Sequence, residues 1–271
     1  MKKLLLFLVG LLMFSSCNLQ QEIQINLPDY EREIVVECYL EPGKPYGLLL
    51  TESSAFGAST LPNVLVPAIV TITHRGVSDT LLPVPTIDTA YYKFYNYVSN
   101  KIAVYDTFNE YHLEIKLLTT LKRISASTKF MPIIPINSYR FVVRDDSSAA
   151  IRLSVFDPPN KSNFYRLIVN GDTLREPERF NQTFSDDFFD NGRITFFSNF
   201  RFDLGDPLIL TLHHLTPEHY FFWRSIQDAL AASNNPFSVP SRIRSNIVGG
   251  TGIFTALSFD RLYVRVKEEE Q

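Results

Sequence analysis

Tyr111-His-Leu-Glu-Ile-Lys-Leu117 sets Tyr111, Leu113, Ile115 and Leu117 on one side of an extended chain and His112, Glu114 and Lys116 on the other. A period of two over so short a run specifies a strand with one buried and one wetted face. Similar runs recur at 34–40, 46–51, 68–73, 139–143, 151–155, 164–169, 194–197, 208–212 and 257–266. Turn residues punctuate them. Arg75-Gly76, Asn170-Gly171 and Asn191-Gly192 each suit a two-residue hairpin, whose central positions need positive φ. Strands do not alternate with helical periods, so a parallel α/β fold is disfavoured.

Met131-Pro-Ile-Ile-Pro-Ile136 interrupts the series, because two prolines cannot donate to a ladder. With 271 residues, 45% of them hydrophobic, the chain is long enough for two cores. We therefore expect a mainly β protein of two tandem antiparallel β-sandwich (Ig-like) domains. The first spans 30–130, an extended connector 131–136, and the second 137–267. One helix is expected at 217–232. Thr216 can cap it, Pro217 suits its first turn, and Glu218 favours its positive end. Tyr220, Trp223, Ile226 and Leu230 follow at helical spacing and are expected to pack on the second domain.

The amino terminus reads as an address. Lys2 and Lys3 precede an apolar run from Leu4 to Phe14, shorter than the roughly 20 residues that span a bilayer. Ser15 and Ser16 then lead into Cys17, the pattern of a lipoprotein signal (1–16) with Cys17 as the lipidation site. Residues 17–29 are polar and short, a tether that holds the folded part at the membrane. If Cys17 carries lipid, Cys38 is the only thiol left, and no internal disulfide can form. Alternation groups Cys38 with Val36 and Leu40, as a small buried hydrophobe.

Evidence for chemistry is thin. His213, His214 and His219 lie close in sequence, but the first two point to opposite faces of one strand, so we read a solvated strand end and no metal site. No nucleophile elbow, His-Glu-x-x-His or Walker motif occurs, and Val248-Gly-Gly-Thr-Gly-Ile253 is read as a backbone bend. Asp186, Asp187 and Asp190 fit turn chemistry. A non-enzyme with no catalytic residues and no cofactor is the expectation. The net charge of −3, without a basic stripe, disfavours nucleic acid. Tyr91, Tyr95 and Tyr97 share one face and form a candidate ligand surface, with a packed edge strand as the alternative.

Several phrases together resemble a Bacteroidota lipoprotein family known as domain of unknown function 4249. They are the signal ending at Cys17, Ile34-Val-Val-Glu-Cys-Tyr-Leu-Glu-Pro-Gly43, Asp157-Pro-Pro-Asn160 with Asn163-Phe-Tyr-Arg166, Asn235-Pro-Phe-Ser-Val-Pro240, and Ser245-Asn-Ile-Val-Gly-Gly-Thr-Gly-Ile-Phe254. The resemblance implies an outer-membrane-associated lipoprotein, facing the periplasm or the surface, beside a TonB-dependent transporter that imports nutrients. It brings no catalytic residues and no ligand identity. The alternative expectation is a structural or adhesive envelope lipoprotein. In that compartment Asp79-Thr80-Leu81, Asp88-Thr89-Ala90 and Asp172-Thr173-Leu174 match an O-glycosylation pattern, which makes Thr80, Thr89 and Thr173 candidate acceptors. Gly249, Gly250 and Gly252 are expected to allow a tight return into the last strand, 257–266.

Overall fold

Residues 31–54, 66–144, 148–159, 161–187, 192–233 and 242–267 are described by a computed structural model of the chain. The expected signal, Cys17, the whole of the expected tether, Asp190, Asn191 and the 235–240 phrase lie outside these residues. Arg32–Gln271 form one compact unit.

Among the described residues, nine strands precede the proline-rich stretch: β1 (Ile34–Leu40), β2 (Pro45–Glu52), β3 (Ala68–His74), β4 (Val77–Leu81), β5 (Thr86–Asp88), β6 (Lys93–Tyr95), β7 (Tyr97–Ile102), β8 (Tyr111–Leu117) and β9 (Arg123–Thr128). After it come β10 (Ser138–Arg144), β11 (Ser148–Phe156), β12 (Phe164–Asn170), β13 (Phe180–Ser185), β14 (Arg193–Phe197), β15 (Phe202–Asp203) and β16 (Pro207–Leu215). Helix α1 (Pro217–Ser233), β17 (Thr251–Ala256) and β18 (Ser258–Arg265) complete the chain. The protein is mainly β, as the period of two predicts.

Four sheets close on two cores in a sandwich-like arrangement. Sheets β17-β1-β2-β7 and β4-β3-β8-β9 enclose a first core that includes Val36, Cys38, Leu48, Val70, Tyr111 and Ile115. Sheets β10-β11-β14, with β15 also on β11, and β13-β12-β16-β18 enclose a second that includes Leu153, Tyr165, Leu167, Ile194, Leu210 and Leu212. Residues 131–136 carry no regular structure between them; Phe130 belongs to the first core and Ile134 to the second. The connector is pinned by Tyr105, whose hydroxyl donates to the Met131 carbonyl at 3.2 Å and accepts from the Ile133 amide at 3.1 Å.

The carboxy-terminal part departs from the expected tandem order. β17 does not extend the second pair of sheets: it runs parallel to β1, with Cys38 beside Phe254. Ile247, Phe254 and Ala256 thereby join the first core. The expected division at 137–267 and the all-antiparallel sheets are both corrected here, and the cause is local. Gly252, at φ +122, lies so close to Val36 that a Cβ there would overlap its carbonyl, so only glycine permits this pairing. The Asn246 side chain then acts as a strand partner, donating to the Phe254 carbonyl at 2.7 Å and accepting its amide at 3.0 Å. Thus the glycines lead into β17, and the return to β18 follows at Leu257, whose amide donates to Leu40 at 2.8 Å.

The helix is also rotated from its expected stripe. His219, Tyr220, Phe222 and Ser225 are its buried residues, whereas Leu230 is 60% exposed and Trp223 and Ile226 are half-buried. α1 touches β17 of the first pair of sheets as well as β12, β13 and β16 of the second. A helix wedged between two surfaces buries a broader and shifted arc than one laid on a single sheet.

Of the three glycine turns, Arg75-Gly76 forms the expected hairpin, with φ of 50° and 74° and His74 opposite Val77. Asn170-Gly171 does not. β12 pairs with β13 only from Val169↔Phe180, which leaves a long loop. Pro177 cannot ladder, and Asn170 holds the loop by donating to the Glu176 carbonyl at 3.2 Å. Asn191 of the third turn lies outside the described residues; the flanking strands β13 and β14 belong to different sheets.

Candidate functional site

The alternation that buries one face of β1 and of β12 leaves their other faces polar. On β1, Val36, Cys38 and Leu40 enter the first core, while Glu37 and Tyr39 point away from it. On β12, Tyr165, Leu167 and Val169 enter the second, while Arg166, Ile168 and Asn170 point away. Register places His213 of β16 opposite both Arg166 of β12 and Phe259 of β18. These outward faces are not left to water. Together they line a cavity of about 760 Å³, completed by Tyr91, Lys93 and Tyr95 from the β5–β6 region, the 174–178 loop, and His219 and Trp223 of α1. Its size falls within the ~300–1,000 Å³ typical of small-molecule sites.

A continuous set of rings and cations runs through it. The Lys93 ammonium lies 4.3 Å from the centre of the Tyr39 ring, and Tyr39 lies 6.0 Å from His219. The Trp223 indole N–H donates to Nε2 of His219 at 2.9 Å, and the Arg166 guanidinium sits 3.9 Å over the indole. His213 packs on Phe259 at 5.3 Å, and Arg261 covers that ring at 4.5 Å. Arg261 also spans the two pairs of sheets, donating to the Tyr91 hydroxyl at 3.4 Å.

Burial sets the protonation states. His219 is 2% exposed and His213 9%, and the Nδ1 of each has no hydrogen-bond partner among the described residues. Desolvation, followed by the Arg166 and Lys93 charges, holds the His219 pKa down to about 3. Desolvation followed by Arg166 holds His213 well below the ordinary imidazole range. Both are therefore neutral at pH 7. Because Nε2 of His219 accepts from Trp223, its Nδ1 carries the hydrogen and is an unused donor. Burial also raises the Tyr39, Tyr91 and Tyr95 phenols and lowers Arg166. Such a lining offers neutral donors, aromatic faces and charged groups of both signs, the chemistry that a polar ligand requires.

The expected site residues separate. Tyr91 and Tyr95 line the cavity, but Tyr97 belongs to the first core, where its hydroxyl donates to the Val66 carbonyl at 2.6 Å and accepts from the Ala68 amide at 2.9 Å. The reading of His213, His214 and His219 as a solvated strand end is corrected: all three are buried, because α1 and the cavity walls cover the strand end. His214 faces away from the cavity and donates from Nδ1 to the Pro132 carbonyl at 2.7 Å. No cluster of three or more His, Cys, Asp or Glu able to hold a metal occurs among the described residues. Asp186 accepts from the Asn163 amide at 2.8 Å, a loop clamp. Thr80, Thr89 and Thr173 are all exposed.

Arg166, Lys93, Arg261 and Tyr39 were not singled out by sequence. One signal was available. β16 reads PLILTLHHL and is buried at nearly every position, which means that both of its faces are covered. The partners of a covered polar face are then the place to look.

Among curated proteins nothing matches this chain. A crystal structure of a DUF4785 family protein from Legionella pneumophila matches at 10% identity with a TM-score of 0.24; the match covers 66% of this chain and 51%, about half, of that one. The family described as Domain of unknown function (DUF4249) matches residues 20–262, nearly the whole length, and the chain belongs to that family.

Proposed function

We propose that the protein is a non-enzymatic lipoprotein, anchored to the outer membrane through Cys17, that binds a nutrient in the cavity between its two pairs of sheets. It presents that nutrient to a TonB-dependent transporter. The observation that carries the reading is the cavity itself: about 760 Å³, lined by aromatic rings, four basic and four acidic side chains, with two buried ring nitrogens lacking a partner among the described residues. Buried polar groups are ordinarily satisfied, and a pair left over in one cavity is what a ligand would complete. An adhesive role draws on a sticky tyrosine face. Since Tyr91 and Tyr95 turn into the cavity and Tyr97 into a core, the ligand-binding reading is the better supported.

Mild crosslinking of intact cells followed by purification tests the partnership. Recovery of an outer-membrane TonB-dependent transporter is expected. Loss of adhesion with unchanged nutrient uptake on deletion would favour the adhesive role instead.

A further inference from the structure

We infer that the inner end of the cavity receives a carboxylate, and that the ligand is a small organic acid whose body lies along Tyr39, Tyr91 and Trp223. This deepens the reading of the cavity as the ligand site and rests on it.

Three cations converge on the two buried histidines, and their pairing is incomplete. Lys93 and Arg261 form no ion pair among the described residues, and Arg166, 8% exposed, reaches Glu178 only at 3.4 Å. The remaining donors of Arg166 are partly committed, with Nε donating to Asn181 at 2.8 Å. Four acids also line the cavity, Glu37, Glu41, Glu176 and Glu178, and two of them are engaged. Glu41 pairs with Lys44 at 3.3 Å and accepts from the Tyr91 hydroxyl at 3.0 Å, while Glu178 also accepts from Asn181 at 2.5 Å. Glu37 answers Lys93 from β1, whereas the charges that bear on His219 are the cations Arg166 and Lys93.

The floor therefore combines positive charge with an unused N–H on His219, a setting that a carboxylate satisfies through charge-assisted hydrogen bonds. Glu37, Glu176 and Glu178 partly offset the cations of the lining. A single negative charge fits better than a phosphate dianion. The rings supply an apolar surface for the rest of the molecule.

Trp223 is the only tryptophan in the chain, so its emission reports on this cavity alone. Titration with two matched pairs, benzoate against benzamide and glucuronate against glucose, and with inorganic phosphate tests the inference. We expect saturable changes with at least one acid, its uncharged partner binding roughly tenfold more weakly, as loss of a charged hydrogen bond implies. Lys93→Gln should weaken the acid about tenfold and the uncharged partner by clearly less. Equal binding within both pairs, or saturation by phosphate alone, overturns the carboxylate while the cavity remains a binding site. Emission unmoved by all five probes also overturns it. The cavity reading then falls only if equilibrium dialysis against a small-molecule extract of the native growth medium also enriches nothing.

Discussion

Across one turn of α1, the indole N–H of Trp223 donates to Nε2 of His219 at 2.9 Å, which commits the imidazole to the tautomer with hydrogen on Nδ1. That hydrogen has no acceptor among the described residues. A helix that only needed to pack would place an apolar residue at 219. Instead it holds a fixed, unused donor against a cavity flanked by Lys93 and Arg166.

Stability should fall in mild acid. His219 titrates near 6.5 when unfolded but near 3 when folded, and His213 is shifted in the same direction. Between those values the unfolded chain binds more protons than the folded one. Stability is therefore retained above about pH 6.5 and lost as pH falls from there toward about 3. Thermal melts at pH 7 and pH 5 should differ by at least several degrees, and His219→Gln should reduce that difference. A melt independent of pH over this range contradicts the assignment.

The parallel β1–β17 pairing depends on Gly252. Gly252→Ala adds a Cβ at φ +122 against the Val36 backbone and should cost about 2–4 kcal/mol in denaturant unfolding. Gly43→Ala, at φ +80 with nothing within 4 Å, should cost only about 1 kcal/mol. Equal costs would mean that close strand approach is not what Gly252 provides.

Gly47 governs one cavity wall. A Cβ there would meet the Tyr95 ring at 2.9 Å, so Gly47→Ala should displace Tyr95. Ligand affinity should drop roughly tenfold while stability changes by about 1 kcal/mol or less. Tyr97→Phe, by contrast, strips the Val66 and Ala68 backbone groups of a partner in the first core. It should cost about 1–3 kcal/mol of stability with little effect on binding.

Cys38 should be inert. It is fully buried on β1, and desolvation raises its thiol pKa far above the ordinary value. Alkylation of a soluble form that begins after Cys17 should proceed only on unfolding; prompt modification of the native protein contradicts this packing.

The strands and the helix were legible because a half-buried strand and a half-buried helix each impose a period on the chain. Tyr111–Leu117 and Pro217–Ser233 stand almost where that period puts them. The site was only partly legible. Period two tells that Glu37 and Tyr39 leave the first core and that Arg166 leaves the second, but it cannot tell that the two polar faces line one cavity. That depends on β17 crossing back to β1, a long-range pairing enabled by Gly252 and by the side chain of Asn246. Tyr91 and Tyr95 were found through their clustering. Tyr97 was grouped with them because alternation cannot distinguish a core face from a cavity face. The histidines looked solvated because nothing local announces that a helix will fold back over its own preceding strand.

Equilibrium dialysis of the purified protein against a small-molecule extract of the native growth medium, read by mass spectrometry, tests the central claim most directly. The account predicts that one or a few small acids are enriched by the wild-type protein, and that enrichment is lost in a Tyr91→Ala/Lys93→Ala variant that melts normally. Enrichment of nothing, or equal enrichment by that variant, would contradict it.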